Sequence, residues 1–474
     1  MNGKGNFARG KNALKGGAYS LTVSAIVLAI ALAVNVFVSA LPSSVTKLDI
    51  SASKLYSVTS NTKAVISRLD KDVTIYWIVQ DGEEDDVIAN LLSRYESLSD
   101  HITVEKKNPD IYPTFARQYT DREVSNNSLV VECGDKNRYI GYEDIYLYET
   151  DIYSYTYSTS FDGEGALTSA VDYVTSNDLP VVYTLTGHGE AELPSTFAGQ
   201  LEKENISLSS LSLLTVDSIP EDADRLMIYS PSTDISRQEA KMLKEYVDGG
   251  GKLMVMAGPS EESELDNLYS LLESRGVSRA DGIVIEGDRS YYAFGTPYAL
   301  IPNLDSENRI TSPVRREGYL AIMPISTGLI IDENAEGVSR LMTTTSSAFS
   351  KAAGYSLDTY DKEEGDTNGP FALAVETENE NGGKMVWFGC SMFLDDMYNA
   401  YSSGANGDVA MNGLAALIGE SETMAIRSKS LNYNYLTISE SASSVIQRWL
   451  IGVFPLFYLG MGIVTVVKRR RSQK

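Results

Sequence analysis

Cysteine and histidine are nearly absent from this chain. Its 474 residues include two cysteines, Cys133 and Cys390, and two histidines, His101 and His188. No C-x-x-C pair occurs, so dithiol redox chemistry is not expected. The neighbourhoods "LVVECG" and "MVWFGC" read as separate strands. That predicts two unpaired buried thiols, although an outer location would permit a disulfide. A nucleotide-phosphate cradle is missing as well. "GGGKLM" (249–254) lacks both the spacing and the Ser/Thr of G-x-x-x-x-G-K-[ST]. There is no G-x-S-x-G elbow, since "GCSMF" (389–393) fails at its last position.

Charge is absent from two long runs. Ser20–Leu41, "SLTVSAIVLAIALAVNVFVSAL", has 22 uncharged residues. A helix of that length covers about 33 Å, enough for a hydrocarbon core of about 30 Å. It is longer than a signal-peptide core and no cleavage site clearly follows, so it reads as an uncleaved anchor. Asn35 within it is either helix–helix glue or simply tolerated. Trp449–Val467, "WLIGVFPLFYLGMGIVTVV", is a second uncharged run, followed by "KRRR" at 468–471. Trp449 stands where an interfacial aromatic would, and Pro455 is tolerable in a membrane helix. A buried core helix is the alternative, but the basic cluster directly after the run argues for a span.

Acidic residues are missing from both tails. Residues 1–19 carry Lys4, Arg9, Lys11 and Lys15, and residues 468–474 carry five cations. Cationic ends belong on the cytoplasmic side, and two spans with both ends inside put residues 42–448 outside. Those residues hold the other 31 basic side chains and all 64 acidic ones. Such a region is a solvated acidic domain, with the opposite sign from a nucleic-acid surface. Acidic runs such as "DGEEDD" (81–86) read as solvated loops.

What remains has a regular pattern. "DVTIYWIV" (72–79) is a strand, "DVIANLLSRYESLS" (86–99) an amphipathic helix and "ITVEKKNP" (102–109) a strand. "SLVVECG" (128–134) and "RYIGYEDI" (138–145) form a hairpin across "DKN". This order suggests a small thioredoxin-like α/β domain over 42–150. The tyrosine-rich stretch 142–157 reads as a strand with alternating aromatics leading into a linker at 151–163; a partner surface is the other reading.

From 164 to 425 strands and helices alternate. "EGALTSAVDYVTS" (164–176) is helical, 181–185 is a strand, and Pro194 starts a helix to about Asn205. "RLMIYS" (225–230) is a strand. Ser236 and Glu239 form a capping box for a helix over 237–248. "KLMVMAG" (252–258) is a strand, and 263–276 is a helix closed by Gly276. "FALAVET" (371–377) and "GKMVWFGC" (383–390) are late strands. Alternation with apolar strands predicts a doubly wound, mainly parallel α/β domain. A membrane-proximal segment (426–448) leads to the second span.

The stretch "VVYTLTGHGE" (181–190) is the candidate site, because α/β proteins place ligands at the carboxyl ends of strands. Gly187, His188, Gly189 and Glu190 form a possible ligand or interaction turn. The structural reading is a tight turn permitted by two glycines, with His188 and Glu190 bonding loop backbone. A metal site would need more ligands. Glu190 is near and Asp395 or Asp396 could approach, but no second histidine is close in sequence. No catalytic residue, metal or cofactor is expected. Gly258–Ser260 and Gly389–Ser391 are candidates to line the same edge.

Five stretches in order resemble a known family. "LDISASKLYSVTSNTKAVISRLDKDVTIYWI" (48–78) is similar to the segment after the first membrane helix in GldG-type ABC-transporter auxiliary proteins. "VVYTLTGHGE" resembles their strand and G-H-G-E turn. "ENRITSPV" (307–314) looks like their H-P-I-T element, with Asn308 and Arg309 in place of His-Pro. "GPFALAVE" (369–376) and "MVWFGCSMFLDD" (385–396) resemble their last strands, with Cys390 and Met392 in place of two acids. The resemblance implies a membrane-anchored subunit beside an ABC-type permease and a cytoplasmic ATPase. Tails of 19 and about 7 residues cannot hold a nucleotide-binding domain, so ATP hydrolysis is expected on another chain. An extracytoplasmic ligand or cell-wall binding module and an anchored hydrolase are the competing readings. The hydrolase needs a nucleophile–base pair that the sequence does not display.

Overall fold

The computed structural model describes residues 22–35, 55, 57–151, 156–176, 179–220, 223, 225–419, 429–431, 449–455, 457, 458, 460–462 and 464. They fall into two compact units, one of residues 1–148 with 161–429, the other of 149–160 with 430–474.

The first unit begins with a helix over residues 22–35, whose Val23, Ile26, Val27, Leu28, Ile30, Leu32 and Val34 are exposed. Among the described residues no helix is long and apolar enough to cross a membrane. The uncharged runs 20–41 and 449–467 both extend into residues outside the described set.

The small sheet follows from simple patterning. Helix α1 (Ser60–Ser67) starts where the Thr59 side chain accepts from Thr62 N. Strand β1 (Val73–Ile78) leads to α2 (Asp86–Leu98), capped by Asp85, whose carboxylate accepts from the Val87 and Ile88 amides. Ile88, Leu91, Leu92 and Tyr95 form its buried face. Strands β2 (Ile102–Lys107), β3 (Ser128–Cys133) and β4 (Lys136–Ile140) complete the order β2-β1-β3-β4, with β1 parallel to β2 and antiparallel to β3. This is the βαβ-then-hairpin order expected from the sequence.

Two details differ. The β3–β4 turn is Gly134–Asp135, since Cys133 pairs with Lys136 and Gly134 has φ +60°. Residues Tyr142–Ile145 form a helical turn instead of extending the strand. Helix α3 (Gly163–Thr175) packs on β3 and β4. It is bonded to α1 and α2 through Thr62 Oγ1 to Glu164 Oε1 (2.7 Å) and Tyr95 Oη with Thr168 Oγ1 (2.5 Å). Cys133 and Cys390 are free and buried, as their flanking sequences predicted.

The large sheet is built from β5 (Val181–Leu185), β6 (Ser207–Leu211), β7 (Arg225–Tyr229), β8 (Lys252–Met256), β9 (Val277–Arg279), β10 (Leu329–Ile331), β11 (Val338–Thr343), β12 (Ala372–Glu378) and β13 (Lys384–Phe388), with the short strand Asn303–Leu304 on β11. Its order is β9-β10-β12-β13-β8-β7-β5-β6, with β11 also paired to β12. The strands β13-β8-β7-β5-β6 are mutually parallel, but β9, β10, β11 and β12 join through antiparallel pairs. The chain is therefore mixed α/β with a large sheet that is parallel in one half only. The cause is local. Five residues link β12 to β13, and a parallel crossover needs about a dozen.

Helices cover both faces of the parallel half. Leu226, Ile228, Leu253, Val255, Met385 and Trp387 pack under α5 (Arg237–Asp248) and α6 (Asp266–Glu273). The alternate residues Met227, Tyr229, Met254, Met256, Val386 and Phe388 pack under α4 (Ser195–Lys203) and α7 (Ala405–Ile418). The period of two sends neighbouring side chains to opposite cores.

The second unit holds most of a three-stranded sheet that includes Thr156–Phe161, and a helical stretch from Trp449 onward. Ile451, Phe454, Phe457, Tyr458, Met461 and Val464 of that stretch are exposed.

Candidate functional site

The run of β-formers in β5 ends at Leu185, and Thr186 N still bonds Leu211 O of the neighbouring strand at 3.0 Å. The next residues must turn. Gly187 has φ +123° and Gly189 φ +70°. A Cβ on Gly187 would lie 2.8 Å from Leu214 Cδ1, and one on Gly189 would lie 2.1 Å from Ser232 Oγ. Both positions therefore favour glycine on conformational grounds, while the side-chain ends of Leu214 and Ser232 can rotate away.

The turn drives His188 inward, where it is 7% exposed, while Thr186, Gly187 and Gly189 face outward. The His188 carbonyl accepts from Ser232 N (3.1 Å) and Thr233 N (3.0 Å), and its amide donates to Glu190 Oε2 (2.8 Å). The ring lies between two carboxylates. Nε2 is 3.2 Å from Glu239 Oε2, and Nδ1 is 3.5 Å from Glu190 Oε1.

Glu239 occupies the first turn of α5 as half of a capping box. Its carboxylate accepts from Ser236 N (2.8 Å), and Ser236 Oγ accepts from Glu239 N (3.2 Å). Burial pushes this carboxyl up. The bonds from Ser236 and then the nearby His188 outweigh it and hold the group below the usual carboxylate range. Glu239 Oε1 is buried without a hydrogen-bond partner.

This arrangement is a lock between a strand end and a helix start. Among the described residues the ring's partners are both carboxylates, and neither is a hydroxyl or thiol that this imidazole could activate. Among the described residues no group of three or more His, Cys, Asp or Glu is placed to hold a metal. Asp396 caps α4, accepting from Ser195 Oγ (2.7 Å), Thr196 N (3.0 Å) and Thr196 Oγ1 (2.7 Å). Asp395 accepts from Met397 N at the start of the next helix.

The other strand ends do meet at this edge. Ser260 Oγ donates to Ser232 O (3.1 Å), and Ser391 Oγ lies 3.0 Å from Ser230 Oγ. Sequence reasoning identified Glu239 as a cap but missed its reach to His188. The S-x-x-E spacing was legible; the contact across the fold was not.

Residues 179–412 match the model of a family described as an ABC-type uncharacterized transport system. The match supports that family. It spans the turn 187–190, Glu239 and the whole parallel half of the sheet, and it supports an accessory role in ABC transport. Residues 52–148 match a second model, described as a domain of unknown function. No curated protein matches the chain.

Among solved structures, an mmIFT52 N-terminal domain is 17% identical, covering 51% of this chain and 99% of its own, with a TM-score of 0.38. A glutamine amidotransferase from Thermotoga maritima is 8% identical over 52% of this chain and 100% of its own, with a TM-score of 0.30. PurLQS from the same organism is 12% identical over 51% of this chain and 100% of its own, with a TM-score of 0.27. At these scores the likenesses carry no functional inference.

Proposed function

We propose that the chain is a membrane-anchored, non-catalytic auxiliary subunit of the GldG type, working beside an ABC permease and a separate cytoplasmic ATPase. The observation that carries this reading is the family match over 179–412. In the proposed topology both termini are cytoplasmic, two helices span the bilayer, and residues 42–448 lie outside. Uncharged runs of 22 and 19 residues beside basic tails support it. So do the apolar side chains exposed along 22–35 and 451–464, which lipid would cover.

In this reading the carboxyl edge of the large sheet is a rigid contact surface. The lock between His188, Glu190 and Glu239 fixes the backbone of the turn, and the outward residues Thr186, Gly187 and Gly189 meet the partner. The test is affinity purification of the full chain from its native membrane in mild detergent, with mass spectrometry. Co-purification of a multispan permease and an ATPase is expected. Recovery of the chain without either, under conditions that preserve other ABC assemblies, would defeat the reading.

A further inference from the structure

The opposite, amino-terminal edge of the large sheet carries an unusual charge pattern. Strands β7, β8 and β13 each begin with a cation followed by four apolar residues: Arg225-Leu-Met-Ile-Tyr, Lys252-Leu-Met-Val-Met and Lys384-Met-Val-Trp-Phe. The three strands are adjacent and parallel, and their register pairs Lys252 with Arg225 on one side and with Lys384 on the other. Paired residues of a parallel sheet point to the same face. Three cations therefore stand side by side at intervals of about 4.8 Å, on the face covered by α7.

Like charges directly opposite on neighbouring strands destabilise a sheet. Compensation inside the fold is partial. Lys384 Nζ pairs with Glu378 Oε2 at 3.0 Å. Among the described residues Lys252 Nζ bonds only carbonyls, those of Gly250 and Gly382. Arg225 has no ion-pair partner among the described residues, and its Nε is buried without a hydrogen bond. Burial first, and then repulsion from Lys384 and Arg225 against attraction from Glu378, holds the Lys252 ammonium below the usual lysine range.

These side chains line a cavity of about 710 Å³ together with Arg309, Tyr246, the glycines 249–251 and the end of α7. Among the described residues four cations and one carboxylate, Glu378, face it. The carboxyl end of α7 contributes about half a negative charge, too little to balance them. Arg309 also lies 3.7 Å from Glu376 and donates to Ala416 O at 3.0 Å.

We propose that this cavity binds a small phosphate-bearing anion. A cation row about 10 Å long exceeds what one carboxylate can contact, and it suits a polyphosphate or a phosphodiester with several charged oxygens. The Arg225 guanidinium adds the planar fork that matches phosphate oxygens. The volume falls within the range of small-molecule sites, about 300 to 1,000 Å³. The site is independent of the turn at 187–190 and of the auxiliary-subunit reading. It is also unrelated to a nucleotide-binding loop, because the Gly249 and Gly251 amides are already bonded to Glu245 O and Tyr246 O.

The test uses the full-length protein in mild detergent, titrated with inorganic pyrophosphate against sodium chloride of matched ionic strength. Calorimetry and melting temperature are the readouts. Saturable binding and a saturable rise in melting temperature are expected. Arg225→Met and Lys384→Met should each weaken binding by about tenfold or more. Both should melt no lower than wild type without ligand, because each relieves repulsion in the row. Lys384→Gln serves if Lys384→Met does not fold.

The acidic residues Glu221, Asp222 and Asp224 precede the row in sequence and lie outside the described residues. If they are its counter-ions, pyrophosphate will show no saturable effect and the proposal falls. It falls equally if wild type and both variants bind alike. Given binding, nanodiscs separate the sources of phosphate. Equal affinity in phosphatidylcholine discs with and without phosphatidylglycerol assigns a free anion. Weaker pyrophosphate binding only in the anionic discs assigns a lipid headgroup.

Discussion

His188 Nε2 lies 3.2 Å from Glu239 Oε2, a contact between residues 51 apart in the chain. It joins the turn after β5 to the first turn of α5. Removing His188 leaves a buried carboxylate short of a partner, so His188→Ala should cost about 1 to 3 kcal/mol. Glu239→Ala should cost more, because the helix also loses its capping box, worth about 1 kcal/mol. Gly189→Val should be the worst of the three, combining a disfavoured φ with a clash on Ser232. Urea midpoints of the three variants check the order. A His188→Ala protein as stable as wild type would mean that the lock does not hold the turn.

The same carboxylate sets a pH dependence. Glu239 is held below its ordinary range in the folded protein. Folding therefore disfavours its proton. Its stabilising contribution is complete above the ordinary glutamate value of about 4.3 and is lost as pH falls through the lower folded value. Glu239→Gln lacks that contribution at every pH. Its stability relative to wild type should be lowest near neutrality and should converge as pH falls below about 4. A constant gap across that range would show that Glu239 is not a source of acid sensitivity.

A second buried pair ties α3 to the chain beyond α7. Glu164 accepts from Thr62 Oγ1 (2.7 Å) and from Lys429 Nζ (2.8 Å), and Lys429 also donates to Ser57 O (2.6 Å). Glu164→Ala should cost about 3 kcal/mol by leaving Lys429 unpaired. Combining it with Lys429→Ala should cost less than the sum of the single changes, and a double-mutant cycle measures the difference. Strict additivity would remove the pair from the account of stability.

The purified full chain, free of partner subunits, should not hydrolyse ATP. The sequence lacks a phosphate cradle of the nucleotide-binding kind, and any pyrophosphate binding at the amino edge should be without turnover. Colorimetric phosphate release with magnesium and ATP is the measurement. Turnover that disappears in Lys252→Ala would overturn it.

Topology has a direct test, because both native cysteines are buried and the Cys390 thiol is pushed up to about 12 by that burial. An impermeant maleimide applied to intact cells should leave the native protein unlabelled. It should label Glu83→Cys and spare Ser472→Cys. The reverse pattern would place residues 42–448 inside.

Elements decided by nearby residues were readable in advance. The apolar run of β5 and the Ser236 box with the apolar face of α5 placed Val181–Leu185 and Arg237–Asp248 at their observed bounds. The start of β4 was read two residues late, because Gly134 can take a positive φ that lets Lys136 enter the strand at once. In the antiparallel half of the large sheet β12 was read as a strand, but its antiparallel pairing and the strands β9, β10 and β11 were missed. Strands β9 and β10 have three residues each, too few to show a period. Repeating cation-plus-apolar starts at 225, 252 and 384 were visible, but nothing in the sequence said that those strands are neighbours.

The sequence by itself determined the separation of charge, the glycines that let residues 187–190 turn, the cap of α5 and the alternation that sends β-strand side chains to two cores. Each follows from interactions within a few residues or from composition. Only the tertiary structure decided which strands lie side by side, and so which distant charges meet. It set Glu239 against His188 and closed that edge into a lock. It also aligned Arg225, Lys252 and Lys384 in one register and opened a cationic cavity in an acidic chain. Strand order is a property of packed layers, and electrostatic energy depends on distance in space rather than on separation along the chain.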